Sequence, residues 1–495
     1  GAGAGAALAA WRQLADSLLG DARWSNSRWG VLVVHPARGD TLYARDADRL
    51  FMPASNQKLV TGAAALAVLG AEHRWRTTFA ARGPVRDGVL QGDLVVLGRG
   101  DPTVSDRMRG DAMAPLREVA DSLAARGVRR IAGAVVAGGD PLPEAPWGYG
   151  WGWDDFDEPY SAGVDELTFN EGFSRVVVRG GARAGQPATV ETRPAPGVPP
   201  IVGRVTTVAP PFAPSPPGSS ASRVRLRWLP ETGRYVAEGT LVAGDSVVRQ
   251  LAHRDPAAAY LVALRAALVA RGIAVAAPPD GARVRKAPGA PAGGAPLDTL
   301  FTLLSPPLRA VLPALQKPSQ NQVAELLFRT LGLERTGVGT ADSARRVVER
   351  QLAAWGIDTV RDVAVRDGSG LSRHDYVTPR ALVRVLDAMR RHPEFRAFHD
   401  ALPVAGVDGT IAARMRGTPA AGNVHAKTGT VDKARSLSGY VTTADGEPLL
   451  FSILSNNHTA PTRAVDATVD TLVARLAALR LGASRAPARA DAAGR

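Results

Sequence analysis

Residues 52–70 read Met-Pro-Ala-Ser-Asn-Gln-Lys-Leu-Val-Thr-Gly-Ala-Ala-Ala-Leu-Ala-Val-Leu-Gly. Pro53 suits the first turn of a helix and Gly70 its end, so a helix is predicted between them. Past Lys58 the segment is almost wholly apolar, so the helix is buried and its lysine goes in with it. At the helix start the Ser55 N–H lacks an intrahelical partner and can stabilise an oxyanion. Three residues on, Lys58 shares that face, and its amine can act as base toward the Ser55 hydroxyl. An isolated Ser-x-x-Lys is more often a helix cap beside a solvated charge, and chance supplies the pattern about 0.2 times in this composition. The apolar helix argues against that reading here.

Working outward, Trp29-Gly-Val-Leu-Val-Val-His35 and Thr41-Leu-Tyr-Ala44 are strand-like runs around the turn sequence Ala37-Arg-Gly-Asp40, a predicted hairpin. Leu8, Trp11, Leu14, Leu18 and Leu19 form one stripe of a helix over Ala7–Leu19. At the other end of the chain, Asn423–Lys427, Ser436–Thr442 and Leu449–Leu454 read as strands, the last two around Ala444-Asp-Gly446, before a helix over Pro461–Leu481. Similar elements at both termini suggest one domain built from both ends. The middle changes character at about Arg82, with strands at Leu90–Leu97 and Val128–Val136 and helices near Ala112–Ala125 and Ala257–Arg271. Between them, residues 169–250 carry short β patterns around a Pro-rich loop, Pro210–Pro217, and a Gly/Pro/Ala linker follows at Ala287–Pro296. The organisation expected is a two-ended domain over 1–82 and 297–482, an inserted α+β domain over 83–168 and 251–296, a small all-β domain over 169–250 nested in it, and a disordered tail at 483–495.

Two further patterns stand downstream of Ser55-Asn-Gln-Lys58: Ser319-Gln-Asn321 and Lys427-Thr-Gly429. Ser319 and Asn321 sit at a loop-to-helix boundary, where alone they would read as an N-cap. As site residues, Ser319 can relay a proton between Lys58 and a leaving amine, and Asn321 can hold an amide of the acyl group together with the Lys58 amine. A lysine acts as base only if burial and a neighbouring cation lower its pKa, and Lys427 can be that cation. Val424–Thr430 alternates as an edge strand on which Gly429 permits close backbone approach. Lys427 and Thr428 suit a terminal carboxylate, and the Thr430 N–H completes an oxyanion pair with that of Ser55. The chemistry is attack by Ser55 on a peptide beside a free carboxylate.

The bulk numbers bound the rest. At 495 residues two or three domains are expected. Only five of the 60 basic residues are Lys (58, 286, 317, 427 and 433), so each lysine that survives this Arg bias draws notice. The net charge of +13 favours an anionic partner such as a wall or membrane surface. No dense basic run with interleaved aromatics appears, which argues against nucleic acid. No apolar stretch reaches the roughly 18–20 residues of a membrane span, so the chain reads as soluble. It opens on Gly-Ala-Gly-Ala-Gly-Ala without Met, so an export signal is expected to have been trimmed, replaced or never present. There is no Cys and no His-Glu-x-x-His, so no metal and no cofactor are expected. Arg99-Gly-Asp101 is read as a turn.

Ser-x-x-Lys, Ser-x-Asn and Lys-Thr-Gly in this order resemble the penicillin-recognising serine enzymes, penicillin-binding proteins and serine β-lactamases. The 260 residues between Lys58 and Ser319 leave a β-lactamase no room. The chain resembles the class C penicillin-binding proteins, the D-alanyl-D-alanine carboxypeptidase/endopeptidase family. Gly100-Asp-Pro-Thr103, Asp367-Gly-Ser-Gly-Leu-Ser-Arg373 and Leu402-Pro-Val-Ala-Gly-Val-Asp-Gly-Thr410 fit that family too. The middle motif is Ser-Gln-Asn where the family often has Ser-Asp-Asn. The resemblance implies an α/β fold, a β-lactamase/transpeptidase-like domain of antiparallel sheet and helices interrupted by two inserted, mainly-β domains. It implies peptidoglycan stem peptides as substrate, β-lactams as covalent inhibitors, and an exported protein of the periplasm or cell surface. Trp151-Gly-Trp-Asp-Asp-Phe and Tyr160 resemble a segment that holds the substrate's diamino-acid side chain, so that Asp155 pairs with an ammonium and Arg373 with a substrate carboxylate. The rival readings are a β-lactamase and a wall-binding module without activity. The oligomeric state is left open.

Overall fold

The computed structural model describes residues 2–210, 222–276 and 297–482. The Pro-rich loop beyond Pro210, the linker at 287–296 and the tail from 483 fall outside them. The chain divides into two compact units, one of Gly1–Glu72, Leu308–Gln320 and Ala344–Arg495, the other of His73–Pro307 and Asn321–Ser343.

The first unit is organised by an antiparallel sheet of β1 (Arg28–His35), β2 (Asp40–Arg45), β3 (His425–Val431), β4 (Ala434–Thr442) and β5 (Pro448–Asn456), in the order β3-β4-β5-β1-β2. Around it lie α1 (Ala2–Leu19), α2 (Gln57–Leu69), α3 (Leu308–Gln316), α4 (Pro379–Arg390) and α5 (Thr462–Ala477). β5 is buried at every position but its first. A strand covered on both faces has no polar alternation to show, which is why β1 and β5 read as continuous apolar runs. On one face α1 and α5 close a core that joins Trp11, Trp24, Trp29, Phe451, Ile453 and Leu472. The Trp11 indole donates to the Leu472 carbonyl at 3.1 Å, so even this polar edge is satisfied. On the other face α4 covers β1, β4 and β5, and the Tyr440 hydroxyl donates to the Leu386 carbonyl at 2.8 Å.

The helix expected from Pro53 is interrupted. Ala54 takes a left-handed φ of 47°, so the chain makes a 3-10 turn over Ala54–Asn56 before α2 begins at Gln57. α2 is buried from Gln57 to Leu66 and ends at Gly70, whose φ of 81° permits the stop. Gln316 of α3 donates its amide to the Lys58 carbonyl at 2.9 Å, over the space that Gly62 leaves without a side chain.

In the second unit the strands Arg76–Arg82 and Asp298–Leu304, both at the margins of the two-ended domain in sequence, pair with each other. With Asp93–Leu97 and Val135–Ala137 they form a four-stranded sheet. Helices Ala114–Ala125 and Pro256–Ala270 contribute to the same core as Phe79 and Leu94. Residues 173–252 hold two three-stranded sheets with a core of Val176, Val178, Val205, Tyr235, Ala237, Leu241 and Leu251. Among the described residues no helix is long and apolar enough to cross a membrane.

Candidate active site

The 3-10 turn that carries Ser55 is clamped to three strands of the sheet. The Asn456 side chain of β5 accepts the Met52 N–H at 2.8 Å and donates to the Met52 carbonyl at 3.2 Å. Ser436 of β4 donates to the Pro53 carbonyl at 2.7 Å, and Asn56 donates its amide to the Lys427 carbonyl of β3 at 2.7 Å. A methyl added at Gly429 would lie 3.0 Å from the Ser55 nitrogen and 2.5 Å from the Pro53 carbonyl, so only glycine lets β3 approach this closely.

Lys58, the second residue of the buried helix α2, is fully enclosed. Its Nζ donates to the Ser55 Oγ at 2.9 Å and to the Ser369 carbonyl at 2.8 Å. Ser369 lies in the Asp367–Arg373 segment, which packs backbone to backbone on the turn. Gly370, at φ 78°, leaves no room for a methyl against the Ala54 carbonyl. Asp367 shapes this loop by accepting the Gly370 and Ser372 N–H groups, both at 2.7 Å, and Thr61 donates to the Gly368 carbonyl at 2.7 Å. Asp375 is fully buried and accepts the Arg366 N–H at 2.6 Å and the Asp367 N–H at 3.3 Å. Burial, and next the charge and hydrogen bond of Asp367, push the Asp375 carboxyl well above the usual carboxylate range, so it stays protonated where an exposed aspartate ionises.

The third motif enters from β3. Lys427 is also fully enclosed, and its Nζ donates to the Ser319 Oγ at 2.8 Å and the Thr428 carbonyl at 2.9 Å. Burial, and then the charge of Lys58, hold the Lys427 amine well below the ordinary lysine range. The shift falls on Lys427, the residue that the sequence suggested as the cation beside Lys58. Ser319 has a φ of 63°, a strained backbone for serine and one found where a structure over-determines a residue.

Four hydrogen bonds tie the Ser319 loop to the Leu402–Thr410 segment and through Thr428 to β3. Lys317 donates to the Leu402 carbonyl at 3.0 Å and to Asp408 at 2.6 Å, and the Thr410 N–H donates to the Lys317 carbonyl at 3.0 Å. Thr410 and Thr428 share a hydroxyl hydrogen bond at 2.7 Å. In the sequence, the sign of this anchor was the survival of Lys317 in an Arg-biased chain.

β3 is an edge strand. Its Ala426 N–H donates outward to the Pro403 carbonyl at 3.0 Å. By the alternation of a strand, the Thr428 and Thr430 N–H groups face the same side, away from β4. That side is where an extended peptide can add.

The first unit thus brings together Ser55, Lys58, Ser319, Lys427, Thr428, Gly429 and Thr430, and Thr430 is exposed beside the Arg435 guanidinium. Arg373, exposed in the same unit, donates to the Asp432 carbonyl at 2.9 Å. Asn321 opens helix Asn321–Thr336 of the second unit, where its amide donates to the Tyr160 carbonyl at 2.7 Å. Asp155 belongs to the second unit too and accepts the Tyr160 hydroxyl at 2.5 Å. Among the described residues no group of three or more His, Cys, Asp or Glu is placed to hold a metal ion.

Residues 11–477 match the D-Ala-D-Ala carboxypeptidase 3 (S13) family. A D-alanyl-D-alanine carboxypeptidase of Actinomadura sp. (strain R39) is 36% identical over 486 residues, covering 96% of this chain and 85% of that protein. The fold matches penicillin binding protein 4 (dacB) from Haemophilus influenzae, with a TM-score of 0.76 at 22% identity over 95% of this chain and 99% of the other. The same protein complexed with a novel β-lactam matches with a TM-score of 0.71 at 22% identity, over 95% of this chain and 98% of the other.

Proposed function

The chain belongs to the D-Ala-D-Ala carboxypeptidase 3 (S13) family, and from that premise we propose how its own residues carry the reaction. It is a serine D-alanyl-D-alanine carboxypeptidase or endopeptidase acting on peptidoglycan stem peptides. Ser55 is the nucleophile. Lys58 takes its proton as Oγ attacks the carbonyl of the penultimate D-Ala, and the Ser55 and Thr430 N–H groups receive the oxyanion. The intermediate collapses to a Ser55 ester as the proton passes from Lys58 through Ser319 to the departing amine. Water, deprotonated by Lys58, then hydrolyses the ester. The terminal carboxylate lies along β3, against Lys427 and Thr428.

The observation that carries this reading is the enclosed Lys58 amine, 2.9 Å from the Ser55 hydroxyl. β-Lactams, which present a strained acyl bond beside a carboxylate, are expected to acylate the same serine. Because the substrate lies outside the cytoplasm, the protein is placed in the periplasm or at the cell surface. Intact-mass and peptide mapping after exposure to benzylpenicillin are expected to show one adduct, on Ser55 and absent from Ser55→Ala. Purified enzyme is expected to release D-Ala from a stem pentapeptide. An adduct that survives Ser55→Ala, or no D-Ala release above the Ser55→Ala background, defeats the proposal. An adduct cleared within a second would instead point to a β-lactamase.

A further inference from the structure

We propose that the small β-rich part of the second unit carries a binding face for a linear, phosphate-bearing polymer of the cell wall. Strands Ile201–Val208, Arg234–Val242 and Arg223–Leu229 form one sheet with Arg234–Val242 in the middle. Val224, Leu226 and Trp228 pack on the core beneath, so Arg223, Arg225 and Arg227 stand on the other face and are exposed. Arg204 lies opposite Glu238 in one direction and Arg225 opposite it in the other. Arg234 shares this face, two alternations from Glu238. Five guanidinium groups therefore share this face with one carboxylate, Glu238, which lies 3.7 Å from Arg227.

The geometry specifies the ligand class. Alternate strand residues are spaced by about 7 Å, so Arg223, Arg225 and Arg227 address successive anions along a chain rather than one compact anion. Guanidinium forks match phosphate oxygens in pairs. The sheet's aromatics, Trp228 and Tyr235, face the core and each other at 5.0 Å, so the basic face has no platform on which bases could stack. A phosphodiester polymer without bases fits this face better than a nucleic acid. That such a polymer is at hand rests on the peptidoglycan reading above, since an enzyme of the wall works among its anionic polymers.

Co-sedimentation of the full chain with isolated wall sacculi tests the proposal, using sacculi with their phosphate polymers and sacculi stripped by hydrofluoric acid. Retention in low salt is expected to fall at least about tenfold on stripping and by a similar factor in R204Q/R225Q/R227Q, and to vanish near about 0.5 M salt. The control R396Q/R463Q/R475Q, which removes the same charge elsewhere, is expected to lose less than about twofold. Inorganic polyphosphate is expected to release the unmodified protein, a readout that does not depend on any variant folding. Equal retention on stripped sacculi, equal loss in the control triple, no release by polyphosphate, or stronger binding to DNA or to anionic lipid vesicles overturns the proposal. Benzylpenicillin adduct formation, measured on the same samples, reports separately on the catalytic reading and is expected to be unchanged in both triples.

Discussion

A reactive amine has to be neutral, and a buried residue far down the chain helps to hold it where it is used. Lys58 donates to both Ser55 and the Ser369 carbonyl, so the loop that presents this carbonyl fixes the direction of the amine. Lys58→Ala is expected to slow acylation by benzylpenicillin by about 10³-fold, the range of a lost general base, measured by stopped-flow or quench mass spectrometry. Beneath the loop, Asp375 is protonated in the folded protein and ionised in the unfolded chain over a wide pH span. Its folded pKa is raised, so its contribution is complete below the unfolded aspartate value of about 4 and is lost as pH rises toward the folded pKa. Asp375→Asn supplies a neutral group of the same shape. Plotted as Tm from acid to mildly alkaline pH, the variant is expected to lose less stability than the parent as pH rises, and parallel curves contradict the assignment. The three motifs could be found in the sequence because each is a short, fixed spacing of residue types with a recognisable chemistry. Asp375, Asp408 and Thr410 could not, because what they do depends on which backbone groups the fold brings beside them.

Strands and helices were legible wherever one physical cause dominated. β4, β5 and α5 lie within a few residues of where the sequence patterns put them. The start of α2 was misread because local signals favour a helix from Pro53, whereas tertiary packing against the Gly370 loop imposes the left-handed Ala54. That strained turn puts the Ser55 hydroxyl beside the amine, at 2.9 Å. Gly370→Ala is the direct probe of it. A methyl there collides with the Ala54 carbonyl and also opposes a φ of 78°, so either the loop or the nucleophile turn has to move. Acylation is expected to fall by about 10²-fold, since a displacement of about an ångström at reacting groups costs that much, while circular dichroism keeps the native spectrum. Native acylation rates in Gly370→Ala show that the two backbones are not coupled.

At the scale of the whole chain, the first unit is assembled from three separated stretches, and its central pairing joins β1 to β5, with Arg28 opposite Asn456. The sequence suggested a domain built from both ends because sheet-forming runs stood at both termini, but pairing partners are not written in a strand's own residues. The second unit made this plain when Arg76–Arg82 and Asp298–Leu304 turned out to pair. Such distant contacts cost loop-closure entropy before they return any stabilisation, so they form late. Ser55 is held by Asn456 through Met52 and by Lys427 through Asn56, both almost at the far end of the chain. Refolding from denaturant is therefore expected to restore far-ultraviolet ellipticity first and the capacity for a benzylpenicillin adduct only later, with a half-time at least about ten times longer. Pulses of labelled benzylpenicillin at successive refolding times measure the second curve. If adduct capacity returned together with the earliest helical signal, the site would have to form from local segments alone, and the dependence of Ser55 on β3 and β5 would be wrong.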